Sequence, residues 1–69
     1  MTQQELFFRC VDLAQAHVSG GNPNRDTPTY RALFDATREW MRASGWQSSA
    51  NDDAVHNEAH SFILAVHAW

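Results

Sequence analysis

Two runs of helix-breaking residues decide what this chain can become. SGGNPNRDTP at 19–28 and SGWQSSAND at 44–52 have the Gly, Pro, Ser and Asn content of connections. Between and around them lie three stretches, each about four helical turns long. Within each stretch the apolar residues recur at i, i+3, i+4 and i+7, the spacing of one helix face. Period-2 alternation is absent and β-branched residues are sparse, so no strand is expected.

The local signals set the ends. Thr2 and Glu5 have the spacing of a capping box. From there Leu6, Cys10, Leu13 and His17 make one row, and Phe7, Val11, Ala14 and Val18 the next. Gly20 and Gly21 are expected to end this helix in the left-handed conformation that glycine tolerates. Thr27 is a good N-cap and Pro28 suits the first helical position. Tyr30, Leu33, Phe34, Thr37, Trp40, Met41 and Ser44 then share a face, and Gly45 stops the run. The third helix starts near Asn51 or Asp52, with acids in its first turn to suit the helix dipole. Val55, Ala59, Phe62, Ile63 and Val66 form its core row. The spacing thus predicts an all-α three-helix bundle, with helices over 2–19, 28–44 and 52–68, in a single domain spanning residues 1–69.

A chain of 69 residues hides a smaller share of its surface than a larger one, so its core is marginal. Cys10 is the sole cysteine, which excludes an internal disulfide. Regular packing, a metal or a second copy must make up the difference, so completion of the bundle by homodimerisation is weighed from the start. A lone cysteine and an N-terminus without a cationic, apolar leader suggest a reducing, cytoplasmic setting. No apolar run is long enough to span a membrane. Net charge is −3, which argues against non-specific nucleic-acid binding.

DDAVHNEAH at 52–60 poses the sharpest question of chemistry. His56 and His60 are one turn apart, and His67 falls on the same row, about a quarter turn from the core centre. Histidines at i and i+4 can chelate a metal. Cys10 and His17 on the first helix could complete a tetrahedral zinc site. The stretch is not H-E-x-x-H, because Asn57 stands where that motif has its glutamate and Glu58 points away from the row. The plain alternative is a row of polar boundary residues that pack their ring faces and wet their nitrogens. No cofactor is otherwise implied. Four histidines also raise the thought of pH sensing, with no other feature behind it.

Other sites are weaker. Cys10 as a nucleophile lacks a base within reach, since His17 is two turns away, roughly 10 Å. Phosphate-loop, nucleophile-elbow and dinucleotide patterns are absent. Arg31, Arg38 and Arg42 line one side of the second helix, with Asp35 among them. They could serve a small DNA-binding regulator or contact an acidic partner. A solvated face is the simpler account, and the long connection that follows does not suit a helix-turn-helix.

Apolar residues in unexpected places say most. Phe8 projects away from the main stripe, Leu64 lies opposite Val55 and Val66, Trp46 sits in a connection, and Trp69 is the last residue. Aromatic residues are enriched at binding hot spots, and a contiguous exposed apolar patch marks an interface. The expectation is therefore a small non-enzymatic module that binds another protein through Phe8, Trp46, Leu64 and Trp69, with Arg31, Arg38 and Arg42 at the margin, and that pairs with itself. Compact acidic chains of this size are common among phage and mobile-element products. Some of these, such as anti-CRISPR proteins and anti-repressors, regulate or inhibit by occluding a host protein. The analogy is one of size and charge alone.

Overall fold

The computed structural model describes residues 2–20 and 27–68. Within them the chain forms α1 (Gln3–Ser19), α2 (Pro28–Ala43), a short 3₁₀ turn (Gln47–Ala50) and α3 (Asp52–Ala68), with no strand. This is the three-helix bundle that the periodicity predicts, and each helix end falls within a residue of its expected place. None of the helices among the described residues is long and apolar enough to cross a membrane.

Side-chain oxygens cap all three helix starts. The Thr2 hydroxyl accepts from the Glu5 amide at 3.1 Å, and the Thr27 hydroxyl accepts from the Tyr30 amide at 3.2 Å with Pro28 in the first turn. Asn51 Oδ1 accepts from the Asp53 amide at 2.9 Å. Each cap satisfies a backbone donor that the helix cannot.

The two helix ends marked by glycine differ. Gly20 keeps right-handed helical dihedrals, φ −69 and ψ −14, and its amide continues the ladder to Ala16, so the expected left-handed stop is not at this residue. Gly21 lies outside the described residues. Gly45 does take the left-handed form, with φ +80. Its amide donates to the Arg42 carbonyl and the Trp46 amide donates to the Met41 carbonyl, both at 3.0 Å. That pair of bonds is a Schellman motif, and it turns the chain sharply out of α2.

The core is drawn from all three helices: Leu6, Cys10 and Ala14 of α1, Tyr30, Leu33, Ala36 and Met41 of α2, and Val55, Ala59 and Phe62 of α3. α1 and α2 are antiparallel. Gln3 Nε2 donates to Ser44 Oγ at 2.8 Å at one end, Cys10 lies beside Thr37 in the middle, and His17 Nδ1 meets the Thr27 hydroxyl at 3.4 Å at the other. α3 lies across α2. Tyr30 meets His56 and Arg38 meets Asp52, yet Trp40 reaches the Phe62 ring.

Arg38 joins α2 to the start of α3. Its Nε donates to the Ser49 carbonyl at 3.0 Å, its other end pairs with Asp52, and its guanidinium sits 4.9 Å from the Phe34 ring centroid. The 3₁₀ turn, which the sequence reading leaves as plain connection, is the element that presents Ser49 to it. Among the described residues, no buried side-chain nitrogen or oxygen lacks a partner.

Candidate interaction face

One side of the bundle carries a chain of aromatic rings. Phe8 packs edge-on to Phe7 at 6.0 Å between centroids. Phe7 meets Trp40 at 5.9 Å and Phe62 at 5.5 Å. Trp40 in turn meets Phe62 at 5.3 Å and Trp46 at 5.2 Å. Phe62 is buried, whereas Phe7, Phe8 and Trp46 leave 39%, 55% and 40% of their surfaces open. The inner members anchor the patch and the outer ones face water.

Beside this chain runs a groove of about 220 Å³ between α1 and α3. Phe7, Val11, Trp40, Phe62, Ala65 and Val66 form its walls, and Glu58 and Ser61 give it a polar edge. Phe7, placed in the core stripe by its spacing, is therefore one wall of an open groove.

A second, polar hollow of about 330 Å³ lies along α2 and the start of α3, lined by Tyr30, Arg31, Phe34, Asp35, Asp52 and His56. Here the first histidine of the row is already engaged. The Tyr30 hydroxyl hydrogen-bonds His56 Nδ1 at 2.8 Å, the two rings stack at 5.8 Å, and Phe34 packs on the imidazole at 4.5 Å. His17 meets the Tyr30 ring edge-on at 5.5 Å from the other side. Tyr30 is thus held between histidines of α1 and α3.

His60 and His67 are exposed, further from the core than the boundary position expected for the row. Among the described residues no group of three or more His, Cys, Asp or Glu side chains is placed to hold a metal ion. The zinc arrangement of Cys10 and His17 with His60 or His67 is not assembled. Cys10 is fully buried. Burial pushes its thiol above the ordinary 9.0, with the nearby Thr37 hydroxyl opposing the shift. It is a small core hydrophobe, as its position in the apolar row suggests.

Comparison with known proteins adds no relative: no protein-family model, curated protein or solved structure matches the chain.

The remaining expected residues separate. Trp46 joins the aromatic face, but for a reason the sequence reading misses. It follows the left-handed Gly45, and in this motif that position folds back on the last turn of the helix, here onto Trp40. Leu64 is 55% exposed but sits about 200° round α3 from Phe62, away from the groove. Trp69 lies outside the described residues. Of the arginine stripe, Arg31 and Arg42 are exposed, whereas Arg38 is committed to Ser49 and Asp52. The stripe loses its central cation to the fold, which weakens the case for phosphate contact. The site residues that sequence reasoning missed are Phe7 and Trp40. Their i, i+3 and i+4 spacing reads as core, and only the position of the groove between α1 and α3 shows them to be walls.

Proposed function

We propose that this protein is a non-enzymatic interaction module that acts by covering an apolar surface of another protein, in a regulatory or inhibitory role. The observation that carries this reading is the aromatic face. Phe7, Phe8 and Trp46 are large, exposed and contiguous, and they adjoin an apolar groove. Scattered exposed apolar residues are ordinary, but a connected aromatic set around a groove is the make-up of a binding hot spot. Phe7 rests on Phe62 and Trp40, and Trp46 on Trp40, so these two rings have less side-chain freedom to lose on binding.

Photocrosslinking tests it. A benzophenone amino acid replaces Phe8, or as control Asp35 on the polar hollow, in cells that naturally express the chain. A discrete adduct formed from position 8 and not from position 35 is the expected result. Equal or absent crosslinking at the two positions would refute the reading. The mass of the adduct shows whether the partner is a copy of this chain or a different protein.

A further inference from the structure

Glu58 stands at the edge of the groove between α1 and α3. It is half-buried, and among the described residues its carboxylate has neither a hydrogen bond nor an ion pair. Beside it the Ser61 hydroxyl already donates to the Asn57 carbonyl at 3.0 Å, so what it offers outward is its oxygen lone pairs. These two residues thus give the edge acceptors, one of them charged. The floor is apolar and aromatic, with Phe7, Val11, Trp40, Phe62 and Val66.

We infer that the groove receives an arginine side chain of the partner protein, with its stem on the aromatic floor and its guanidinium on Glu58. This rests on reading the face as a protein interface, and it states what the partner must carry.

Three features single out that occupant. The first is what any other would do to Glu58. Whatever covers the groove also takes water from this carboxylate. A wholly apolar segment would leave it buried without a counter-charge, which is strongly unfavourable. A second copy would bring a second carboxylate and its own net charge of −3. A cation removes the penalty, and the negative chain attracts it from a distance.

The second is the match of donors to acceptors. A guanidinium carries only N–H donors, as an edge made of acceptors requires. Its hydrocarbon stem lies along apolar surface while the head stays at the margin. Its flat face also stacks on aromatic rings, which the compact, strongly hydrated lysine ammonium does less readily.

The third is a precedent within the chain. Arg38 lies 4.9 Å from the Phe34 ring centroid, pairs with the Asp52 carboxylate and donates to the Ser49 carbonyl. An aromatic ring, a carboxylate and a neutral oxygen hold one guanidinium there. The groove brings the same parts together in Trp40 and Phe62, Glu58, and Ser61. Among the described residues no arginine reaches Glu58.

The test is titration of the full chain with n-butylguanidinium at constant ionic strength, followed by amide and indole NMR shifts. The comparison is n-butylurea, which has nearly the same shape and no charge. Shifts should gather on Trp40, Glu58, Phe62, Ala65 and Val66. The cation should bind about 10-fold tighter than the urea, the scale of a cation–π contact joined to a partly exposed ion pair. n-Butylammonium should fall between them. Glu58→Gln should remove most of the cation's advantage. Asp35→Asn, the same change of charge on the polar hollow, should keep it, and both variants should keep the far-UV circular dichroism of the parent. Equal binding of cation and urea by the parent would overturn the inference. So would shifts that are absent or centred away from the groove, or an advantage that survives Glu58→Gln. Ammonium binding as tight as guanidinium would remove arginine as the occupant.

The two readings fail separately. A discrete adduct from position 8 with no advantage for the cation leaves the interaction module and overturns the arginine. A cation advantage lost in Glu58→Gln, with no adduct from position 8, leaves a guanidinium site and overturns a protein as its source.

Discussion

Gly45 offers a test in which the structure separates two effects that usually travel together. Its φ of +80 is strained for an L-residue, yet a Cβ built there meets nothing within 4 Å. Any cost of Gly45→Ala is therefore conformational, with no steric part. An L-residue in the left-handed region costs about 1–2 kcal/mol. D-alanine has the same atoms and the opposite preference, and by removing freedom from the unfolded chain it should stabilise by about 0.4–1 kcal/mol. A domain of this length has only about 3–10 kcal/mol in total, so both changes are visible. At about 4–8 °C per kcal/mol for a small domain, L-alanine should lower Tm by roughly 4–16 °C and D-alanine raise it by up to about 8 °C. Chemical ligation at Cys10 gives both proteins, and thermal melts followed by circular dichroism give the shifts. An unchanged or higher Tm for the L-variant would refute the reasoning, because its Cβ meets nothing and only the handedness of the backbone is left to act. The L-variant should also move the tryptophan emission, because the turn at Gly45 is what returns Trp46 to Trp40.

Two further predictions concern residues whose role the fold reassigns. Arg38→Met should cost about 2 kcal/mol in urea unfolding, because it takes a charged donor from the Ser49 carbonyl. Asp52→Asn should cost no more than about 1 kcal/mol, because the carboxylate is 73% exposed and exposed ion pairs contribute little; equal losses would show that the ion pair, not the carbonyl bond, fastens the connection. For Cys10, burial holds the folded thiol protonated, so the unfolded chain loses its proton first as pH rises. Its contribution is complete below the ordinary 9.0 and declines above it. Stability should fall there in the parent and less in Cys10→Ala, and alkylation of the native thiol should be slow until the chain unfolds; rapid alkylation of folded protein would contradict the burial.

Much of the fold is legible in the sequence because its signals are local. Thr2, Thr27 with Pro28, and Asn51 cap within three residues of what they bond, and the core rows follow helix geometry. What is not legible depends on partners far along the chain. Arg38 finds its acceptors at Ser49 and Asp52, set by how the 3₁₀ turn folds, and no spacing rule announces that. Ala36 is buried although its size gives no apolar signal, while Phe7 is large and apolar yet faces a groove. The aromatic face was half legible for the same reason. Phe8 and Trp46 stand out as misplaced, but Phe7 and Trp40 look like core until the groove that they line is seen. The histidine row shows the limit of periodicity most clearly. A shared row gives a shared direction, but Tyr30 engages His56 and leaves His60 and His67 in solvent.

The two halves of α3 are held unequally, and this has a consequence for local opening. Val55, Ala59 and Phe62 are its buried residues, and from Ile63 to Ala68 none is buried. The first half is also tied by His56 to Tyr30 and by Asp52 to Arg38. Amide protons early in α3 should then exchange only when the whole domain unfolds, while those near Val66 and His67 are released by unwinding of the last turns alone. Ala65 and Val66, which wall the groove, belong to that looser half. Anything that fills the groove would bear on the part of the helix with most protection to gain, so occupancy at the surface would be recorded as slowed exchange in the backbone behind it.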